Sequence, residues 1–399
     1  MTQREEALLA ATTLPEIQAA LAAARLDGWL LYDFRGTNPI ARAMLGLEGM
    51  QSRRVFAWVP ASGAPVAITH AIEQAPWARW PAAWGKRVYA SWPSLEAEVK
   101  SLVGGKRVAM EYSAGDAVPV VDRIPAGVIE MVRAAGGDVV TSGDLVSKFF
   151  AVWSEIGKFS HFRASEHIAR IARNAFARAG MHARTDLPLS EHELVEWILG
   201  QFALAGLETD HGPNVSATEN AANPHYEPSA SNRRALKEGD SVLIDLWATE
   251  PGAIYADQTW MASIGPPSKE LMMVWTAVRD ARDAALELLH NRITKGEPVR
   301  GADADDAARA VIVKAGYGDY FTHRTGHSID ARALHGSGPN LDNLETRDER
   351  FLIPGIGFSV EPGVYIPGRT GVRSEVNCWV GDRELVVTPH EIQRDLIVV

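Results

Sequence analysis

Short apolar runs and helical spacings alternate along the first part of the chain. Runs of strand length are separated by segments in which apolar residues recur every three or four positions, as on one face of a helix. The predicted strands cover residues 28–32, 55–59, 67–69, 106–110 and 139–140. A predicted helix over residues 14–26 precedes the first strand, and others fall between the strands, for example over residues 94–102. This alternation predicts a small α/β domain over residues 1–157.

The pattern changes near residues 157–163. Longer amphipathic helices follow, and strand pairs with Pro-Gly turns lie among them. The helices predicted in this second part cover residues 165–181, 194–205, 269–289 and 303–315. Ser190 and Glu193 form a capping box in front of the second of these helices. We therefore expect an α+β domain over residues 158–399, with helices packed on mainly antiparallel sheet.

The composition narrows the class of protein. The 399 residues carry 40 Lys and Arg against 50 Asp and Glu, and this net charge of −10 argues against nucleic acid or an anionic membrane as a partner. Apolar residues make up 46% and charged residues 23%, as in soluble globular proteins. Residues 1–6 are charged and lack a signal-peptide core, and no run approaches the ~20 apolar residues of a membrane helix. A cytoplasmic location is the expectation.

The positions of the tryptophans and of the single cysteine say little about function. Seven of the twelve tryptophans fall in the first part of the chain, at positions 29, 58, 77, 80, 84, 92 and 153. Core packing is the simple interpretation, and a subunit interface or a lid over the second domain is the alternative. The single cysteine, Cys378, excludes an internal disulfide and is expected to be inert packing on the face opposite Glu375.

Two aspartates stand in the strand–turn–strand segment at residues 242–257. A turn about Pro251 places Asp245 directly opposite Asp257, with Cβ atoms roughly 5 Å apart on one face of the sheet. Like charges in this arrangement repel each other, and an unpaired carboxylate in an apolar core costs still more free energy. A register error of one residue, which would point the two acids to opposite faces, is the simpler alternative for a single pair.

Two glutamates repeat the arrangement further along the chain. A hairpin centred on Gly368 places Glu361 opposite Glu375, again within apolar strands. Two such pairs in one domain favour a metal site over two register errors. Four carboxylates balance the charge of two divalent ions, which indicates a dinuclear centre.

The histidine pattern restricts the kind of metal site. His323 and His327 are four residues apart, but Gly326 makes a continuous helix doubtful and the glutamate of the H-E-x-x-H zinc motif is missing. One histidine with four carboxylates describes an oxygen-rich site that suits Mn²⁺ or Co²⁺, with Zn²⁺ possible.

These residues resemble the pita-bread-fold metallopeptidases, which include methionine aminopeptidase, aminopeptidase P and prolidase. The matching segments read LIDLW…IYADQT, RTGHSI, VEPGVY and GVRSEV, and the resemblance runs from about residue 160 to the C-terminus. The positions that match the family's metal ligands are Asp245, Asp257, His327, Glu361 and Glu375. The additional N-terminal domain resembles that of the proline-specific members. Creatine-cleaving relatives share both domains but not the full ligand set.

The resemblance implies a role for each ligand. Asp257 and Glu375 would bridge two metal ions, Asp245 would chelate one of them, and His327 and Glu361 the other. A hydroxide held between the ions would attack the carbonyl of the bond before proline, and Glu361 would also handle the proton of this nucleophile.

The resemblance also implies residues on the substrate side. His225 and His335 match histidines that would hydrogen-bond the scissile carbonyl or the leaving nitrogen, and Tyr365 and Arg373 match positions close to the metals. For Arg373, a salt bridge that orients Glu375 is an equal alternative to a substrate contact.

Two segments depart from the family pattern beside the expected pocket. The interval from His327 to His335 is eight residues where the family usually has seven, and Gly336 replaces the usual acidic residue. Gln258-Thr259-Trp260 stands where the family often has Thr-Arg. Both changes bear on substrate choice and on the role of His335.

The resemblance implies a prolidase-like dipeptidase that hydrolyses Xaa-Pro with two divalent metal ions. Mn²⁺ is the first candidate for these ions, and a homodimer is the expected assembly. The alternative within the family is an aminopeptidase P-like enzyme acting on longer peptides. A dipeptidase needs a cation that captures the proline carboxylate, and Arg332 or Arg369 is a candidate. Two further alternatives are a non-catalytic binding protein on the same fold and a metal-free amidinohydrolase that resembles creatinase.

Overall fold

The computed structural model describes residues 7–49, 51–232 and 234–399. Residues 1–6, which carry part of the signal-peptide expectation, lie outside the described residues. The chain forms two compact units that divide between Ala151 and Val152. The boundary expected after residue 157 falls inside the first helix of the second unit. Across the described ranges, no helix combines the length and the apolarity needed to span a bilayer.

The first unit is an α/β domain, as predicted. Its strands are β1 (Gly28–Asp33), β2 (Val55–Pro60), β3 (Val66–His70), β4 (Gly85–Tyr89), β5 (Arg107–Met110) and β6 (Asp138–Thr141). Its helices are α1 (Leu14–Ala23), α2 (Pro39–Leu45), α3 (Trp92–Val103), α4 (Ala126–Ala134) and α5 (Gly143–Phe149). In the described part of this unit the strands form one mixed sheet of order β4-β3-β2-β1-β5-β6.

Both faces of this sheet are buried, which explains the continuous apolar run in β1. Successive side chains of a strand point to opposite faces, so Trp29 and Leu31 enter one core while Leu30 and Tyr32 enter the other. Helices α1, α2 and α5 cover the first face, and α3 and α4 cover the second. Core packing therefore accounts for Trp29, whereas Trp92 is 67% exposed.

The second unit is α+β, as predicted. Its helices are α6 (Glu155–His182), α7 (Glu191–Leu204), α8 (Lys269–Lys295) and α9 (Gly301–Lys314). Its strands are β7 (Asn214–Ala217), β8 (Ser241–Ala248), β9 (Ala256–Ser263), β10 (Ser328–Ile329), β11 (Gly357–Val360), β12 (Gly363–Ile366), β13 (Thr370–Arg373), β14 (Val376–Gly381), β15 (Glu384–Thr388) and β16 (Ile397–Val398). The described strands form two four-stranded sheets, β16-β9-β8-β7 and β10-β11-β14-β15, and the β12-β13 ribbon. Only the β16–β9 pair is parallel among these described strands.

Local capping sets the helix ends of this unit. The predicted capping box is present, since Glu193 accepts the backbone N–H of Ser190 at 2.8 Å and donates its own N–H to the Ser190 hydroxyl at 3.2 Å. Helix α6 begins ten residues before the predicted start because Ser154 caps it by accepting the N–H of Gly157 at 3.1 Å. Cys378 is buried in the core beside α8, as expected.

Candidate metal centre

Asp245 and Asp257 lie on β8 and β9, the two inner strands of their sheet. These strands pair so that Asp245 stands opposite Thr259. The prediction that Asp245 faces Asp257 directly is wrong by two residues, because the turn spans residues 249–255 and is not centred on Pro251. A shift of two residues preserves the face, so both carboxylates still point to the same side of the sheet as diagonal neighbours.

Glu361 and Glu375 lie where two antiparallel ladders meet. Strand β11 pairs with β14, β12 pairs with β13, and both ladders keep the register predicted for a hairpin about Gly368. The two glutamates occupy the break between these ladders, where their backbone N–H groups are free to bond elsewhere. Glu361 donates to the carbonyl oxygen of Thr325 at 2.7 Å, and Glu375 donates to that of Thr259 at 3.2 Å. The break therefore ties one glutamate to the histidine loop and the other to β9.

His327 adds a nitrogen donor to these oxygens. Its Nδ1 donates to the carbonyl oxygen of Ser328 at 3.0 Å, and its Nε2 lies 3.3 Å from Asp257 Oδ2 and 3.5 Å from Glu361 Oε1. The hydroxyl of Ser359 accepts the backbone N–H of His327 and donates to Glu361, each at 2.9 Å. One serine thus orients both side chains, and Nε2 of His327 is the nitrogen presented to a metal.

The donor atoms are crowded and incompletely paired. One ligand atom from each of Asp257, His327 and Glu375 lies within 4.8 Å of the others, and all three residues are buried. Glu375 Oε2 accepts the hydroxyl of Thr259 at 2.8 Å, but the buried Oε1 has no hydrogen-bond partner within the described parts of the chain. A buried carboxylate oxygen without a partner costs free energy that a bound cation would remove. The residues present therefore fit a divalent metal ion.

Burial and charge disturb the titration of these acids. Burial raises the pKa of Asp245 to about 7, although the positive charge of Arg373 opposes this. Burial and the neighbouring carboxylates raise the pKa of Glu375 well above its usual value. Glu361 differs, because the positive charges of His327 and Arg373 outweigh its burial and lower its pKa. Glu361 is therefore the acid most ready to be ionised at neutral pH.

Arg373 binds Asp245, and not Glu375, the partner in one of its two sequence-based interpretations. Its Nη2 forms an ion pair with Asp245, its Nε donates to the hydroxyl of Thr259 at 2.8 Å, and its Nη1 donates to the Tyr365 hydroxyl at 3.3 Å. The alternative of a salt bridge to Glu375 is therefore wrong, and the ion pair is with Asp245. The ladder breaks between residues 373 and 375, so the alternation of a single strand does not place their side chains together.

His323 belongs to the site, although the sequence reasoning considered it only as a zinc ligand and rejected it. Its Nδ1 donates to the carbonyl oxygen of Arg324 at 2.6 Å, and its Nε2 accepts the hydroxyl of Tyr365 at 2.8 Å. Both ring nitrogens are engaged, which leaves none for a metal, and burial lowers the pKa of His323. This neutral histidine holds Tyr365 beside Arg373. The spacing of four residues to His327 was the available signal, but its meaning required the fold.

A cleft of about 430 Å³ opens onto these residues. His225 and His335 both line it, together with Glu361 and Arg373. The ring of His335 lies 4.2 Å from that of His327. The positive charge of His327, followed by burial, lowers the pKa of His335 to about 4, so His335 is neutral at physiological pH. The structure therefore brings both predicted substrate-side histidines to the same cleft.

The loop with the additional residue is organised by Asp330. Its Oδ1 accepts the backbone N–H groups of Arg332 at 2.8 Å and Ala333 at 3.0 Å, and its Oδ2 accepts that of Ser337 at 2.8 Å. A Cβ atom on Gly336 would lie 2.9 Å from the backbone nitrogen of Asp330, closer than real contacts allow. The acidic residue usual in the family would not fit at this position, so the departure is a consequence of how this loop folds.

Buried carboxylates and a histidine beside a cleft are an arrangement that suits metal-assisted hydrolysis. Residues 163–382 match the model of metallopeptidase family M24. The chain belongs to this family. Its second unit has the pita-bread fold, and the protein is a metallopeptidase.

Individual proteins that are similar to this chain are also peptidases. The probable dipeptidase PepE of Mycobacterium tuberculosis is 28% identical over 365 residues, which cover 89% of this chain and 88% of the relative. The Xaa-Pro dipeptidase of Lactobacillus helveticus is 35% identical over 186 residues, 46% of either chain. Among solved structures, the dipeptidase PepE of Mycobacterium ulcerans superposes with a TM-score of 0.72 at 24% identity, and the match covers 98% of this chain and 97% of that one.

Proposed function

We propose that this protein hydrolyses dipeptides of the form Xaa-Pro. The observation that carries the proposal is the buried cluster of Asp257, His327 and Glu375 beside a cleft that His225 and His335 line. Such a cluster supports metal-assisted hydrolysis, and neutral histidines support recognition of a peptide carbonyl. The similarity to the Lactobacillus helveticus Xaa-Pro dipeptidase supports proline as the second residue, and the two PepE relatives support a dipeptide substrate.

The proposal assigns five residues to two divalent cations. Asp257 and Glu375 would bridge the two ions, Asp245 would complete one site, and His327 and Glu361 would complete the other. The oxygen-rich donor set favours Mn²⁺, with Co²⁺ and Zn²⁺ next. When bound, such ions acidify a water molecule and stabilise negative charge on the scissile carbonyl oxygen.

Glu361 is the proposed acceptor of the water proton. In the metal-free chain the positive charges of His327 and Arg373 outweigh its burial and lower its pKa, so it is ionised at neutral pH and able to take a proton. His335 is neutral at this pH, since His327 and burial lower its pKa to about 4, and it can donate one hydrogen bond to a substrate oxygen. His225 is the second proposed donor to the substrate.

The assignment of Tyr365 and Arg373 to the substrate side of the site stays a prediction. Their contacts favour a positioning role, because Tyr365 is held by His323 and Arg373 is held by Asp245. Arg373 keeps its full charge, since Asp245 and other acids raise its pKa well above the usual value despite burial. A permanent cation at this place would orient Asp245 toward a metal.

Hydrolysis of Ala-Pro, Ala-Pro-Ala and Ala-Ala by the Mn²⁺-loaded protein tests the proposal. We expect a kcat/KM for Ala-Pro at least ~10-fold above the values for the other two peptides, and loss of activity after treatment with a chelator. Preferred cleavage of Ala-Pro-Ala would replace the dipeptidase with an aminopeptidase P-like enzyme. Activity on an amidino substrate that survives chelation would favour a creatinase-like enzyme, and absence of both metal and turnover would favour a binding protein.

A homodimer is a further part of the proposal that rests on the family resemblance, and a cytoplasmic location stays a prediction from the sequence. Light scattering after size-exclusion chromatography tests the first, with a mass of twice 43.4 kDa as the expected result.

A further inference from the structure

The chain segment that carries His225 is only partly buried. This segment, residues 218–226, follows strand β7 and brings His225 to the cleft. His225 is exposed, so little packing fixes the direction of its ring. The backbone of the segment must therefore orient the ring. We infer that Glu191 positions His225 through Tyr226, and this inference rests on the substrate contact proposed above for His225.

Glu191 is a buried acid at the first position of helix α7. Its Oε2 accepts the hydroxyl of Tyr226 at 2.8 Å, and its Oε1 accepts the backbone N–H of Ala217 at 2.6 Å. The side-chain amide of Asn220 donates to both oxygens, at 3.1 and 3.0 Å. These partners are all donors and suit a carboxylate, although burial raises the pKa of Glu191. One side chain thereby joins the beginning of the segment to its end at Tyr226.

A second buried side chain holds the segment on the other side of His225. The side-chain amide of Asn214 donates to the carbonyl oxygen of Pro224 at 3.1 Å. Asn214 is buried on β7 and stands opposite Asp245 in the β7–β8 ladder. His225 is therefore flanked by an anchored carbonyl group at residue 224 and an anchored hydroxyl group at Tyr226.

The middle of the segment packs on strand β13. A Cβ atom on Gly371 would overlap the carbonyl oxygen of Ala221, so glycine permits this close approach. Gly371 stands opposite Tyr365 in the β12-β13 ribbon. Removal of the Tyr226 hydroxyl leaves this packing in place. The substitution Tyr226→Phe is therefore expected to loosen His225 without unfolding the segment.

The bond between Tyr226 and Glu191 bears directly on the chemistry. A hydrogen bond to a substrate oxygen lowers the reaction barrier only when its donor is held at the right distance and angle. Because Tyr226 follows His225 in the chain, its charge-assisted bond to Glu191 restricts the backbone that directs the His225 ring. Negative charge on the substrate oxygen grows in the transition state, so loss of this restriction should lower kcat more than it changes KM.

Replacement of Tyr226 by phenylalanine tests the inference with the loss of one oxygen atom. In the Mn²⁺-loaded enzyme, Tyr226→Phe should lower kcat on Ala-Pro about 10-fold and change KM by less than ~2-fold, while the metal content stays at the wild-type value. Glu191→Gln should act in the same direction, because its amide presents a donor to the donors of Asn220 and Tyr226. Wild-type kcat in both variants would overturn the inference.

Two controls match these substitutions. Glu196→Gln changes an exposed acid of the same helix, and Tyr89→Phe removes a hydroxyl of the first unit that donates to a backbone carbonyl oxygen at the same 2.8 Å. Both variants should keep the wild-type kcat and KM. A loss in either control as large as the loss in Tyr226→Phe would count against a specific role of the Glu191–Tyr226 bond and overturn the inference.

A second background separates positioning from a general structural role. When His225 is already replaced by alanine, Tyr226→Phe has no ring left to orient, so it should lower kcat by less than a further ~2-fold. A structural role would lower kcat by the same factor in the presence and absence of His225. Equal factors in the two backgrounds would therefore contradict positioning of His225.

NMR of the histidine rings gives a readout that does not depend on turnover. In the Zn²⁺-loaded protein, which is diamagnetic, the ring signal of His225 is identified by its loss in His225→Ala. This signal should shift or broaden in Tyr226→Phe and in Glu191→Gln, while those of His327 and His335 stay unchanged. An unchanged His225 signal would overturn the inference even if Ala-Pro is cleaved. A changed signal in a protein whose wild type does not cleave Ala-Pro would overturn the proposed substrate and support the positioning of His225 by Glu191.

Discussion

Asp257→Asn is expected to abolish the binding of divalent metal ions and to lower kcat/KM on Ala-Pro by at least about 1,000-fold. The substitution removes one negative charge from the cluster in which the Asp257, His327 and Glu375 ligand atoms lie within 4.8 Å. An amide is also a much weaker ligand for a hard divalent ion than a carboxylate. Metal analysis of the dialysed protein together with peptide kinetics measures both effects.

Asp240→Asn is the matched control for this prediction. Asp240 is also buried, one residue before β8, but it pairs with Arg234 at 2.7 Å and does not face the cluster. Its replacement should lower the free energy of unfolding while metal content stays at the wild-type value. Full metal content and turnover in Asp257→Asn would contradict the assignment of this residue.

Glu375→Gln is expected to stabilise the metal-free protein while it removes the response to metal. Glu375 is buried with an unpaired oxygen, and burial together with the neighbouring carboxylates raises its pKa well above the usual value. A carboxyl group whose pKa is raised by folding binds more protons in the folded state, so its ionisation lowers stability as pH rises above the unfolded value. The benefit of glutamine should therefore be absent near pH 4 and reach about 2 kcal/mol at pH 8.

Urea denaturation at both pH values in the presence of a chelator gives this difference directly. The free-energy cost of burying the glutamine amide does not depend on pH, so it cancels when the effect of Glu375→Gln at pH 8 is compared with its effect at pH 4. Glu384→Gln, an exposed acid on β15, should change stability by less than ~0.5 kcal/mol at either pH. With Mn²⁺ added, wild type should gain stability and Glu375→Gln should not. If Glu375→Gln differs from wild type by the same free energy of unfolding at pH 8 as at pH 4, ionisation of Glu375 does not destabilise the folded protein.

Local features of the site could be predicted because they depend on short stretches of chain. The hairpin about Gly368 has the predicted register, and the Ser190 capping box starts α7, since both depend on residues close in sequence. The predicted pairing of Asp245 with Asp257 was wrong because the length of the turn between their strands was misjudged. The turn at residues 249–255 is longer than the Pro-Gly pair suggested, and periodicity alone does not show where a strand ends.

Partners that meet across the fold could not be predicted. Arg373 pairs with Asp245 from a distant strand, and His323 bonds Tyr365 across the break in the ladders. Arg324 lines the cleft, but no sequence signal distinguished it from Arg332 or Arg369. Its position in the cleft follows from contacts with α9, which only the folded chain brings together.

Anomalous diffraction from crystals grown with Mn²⁺ tests most directly whether the crowded acids form a two-ion site. The account predicts two manganese peaks, both in contact with Asp257 and Glu375, one also with Asp245 and the other with His327 and Glu361. Crystals that show no manganese between these side chains, with the carboxylate oxygens turned away from one another, would contradict it.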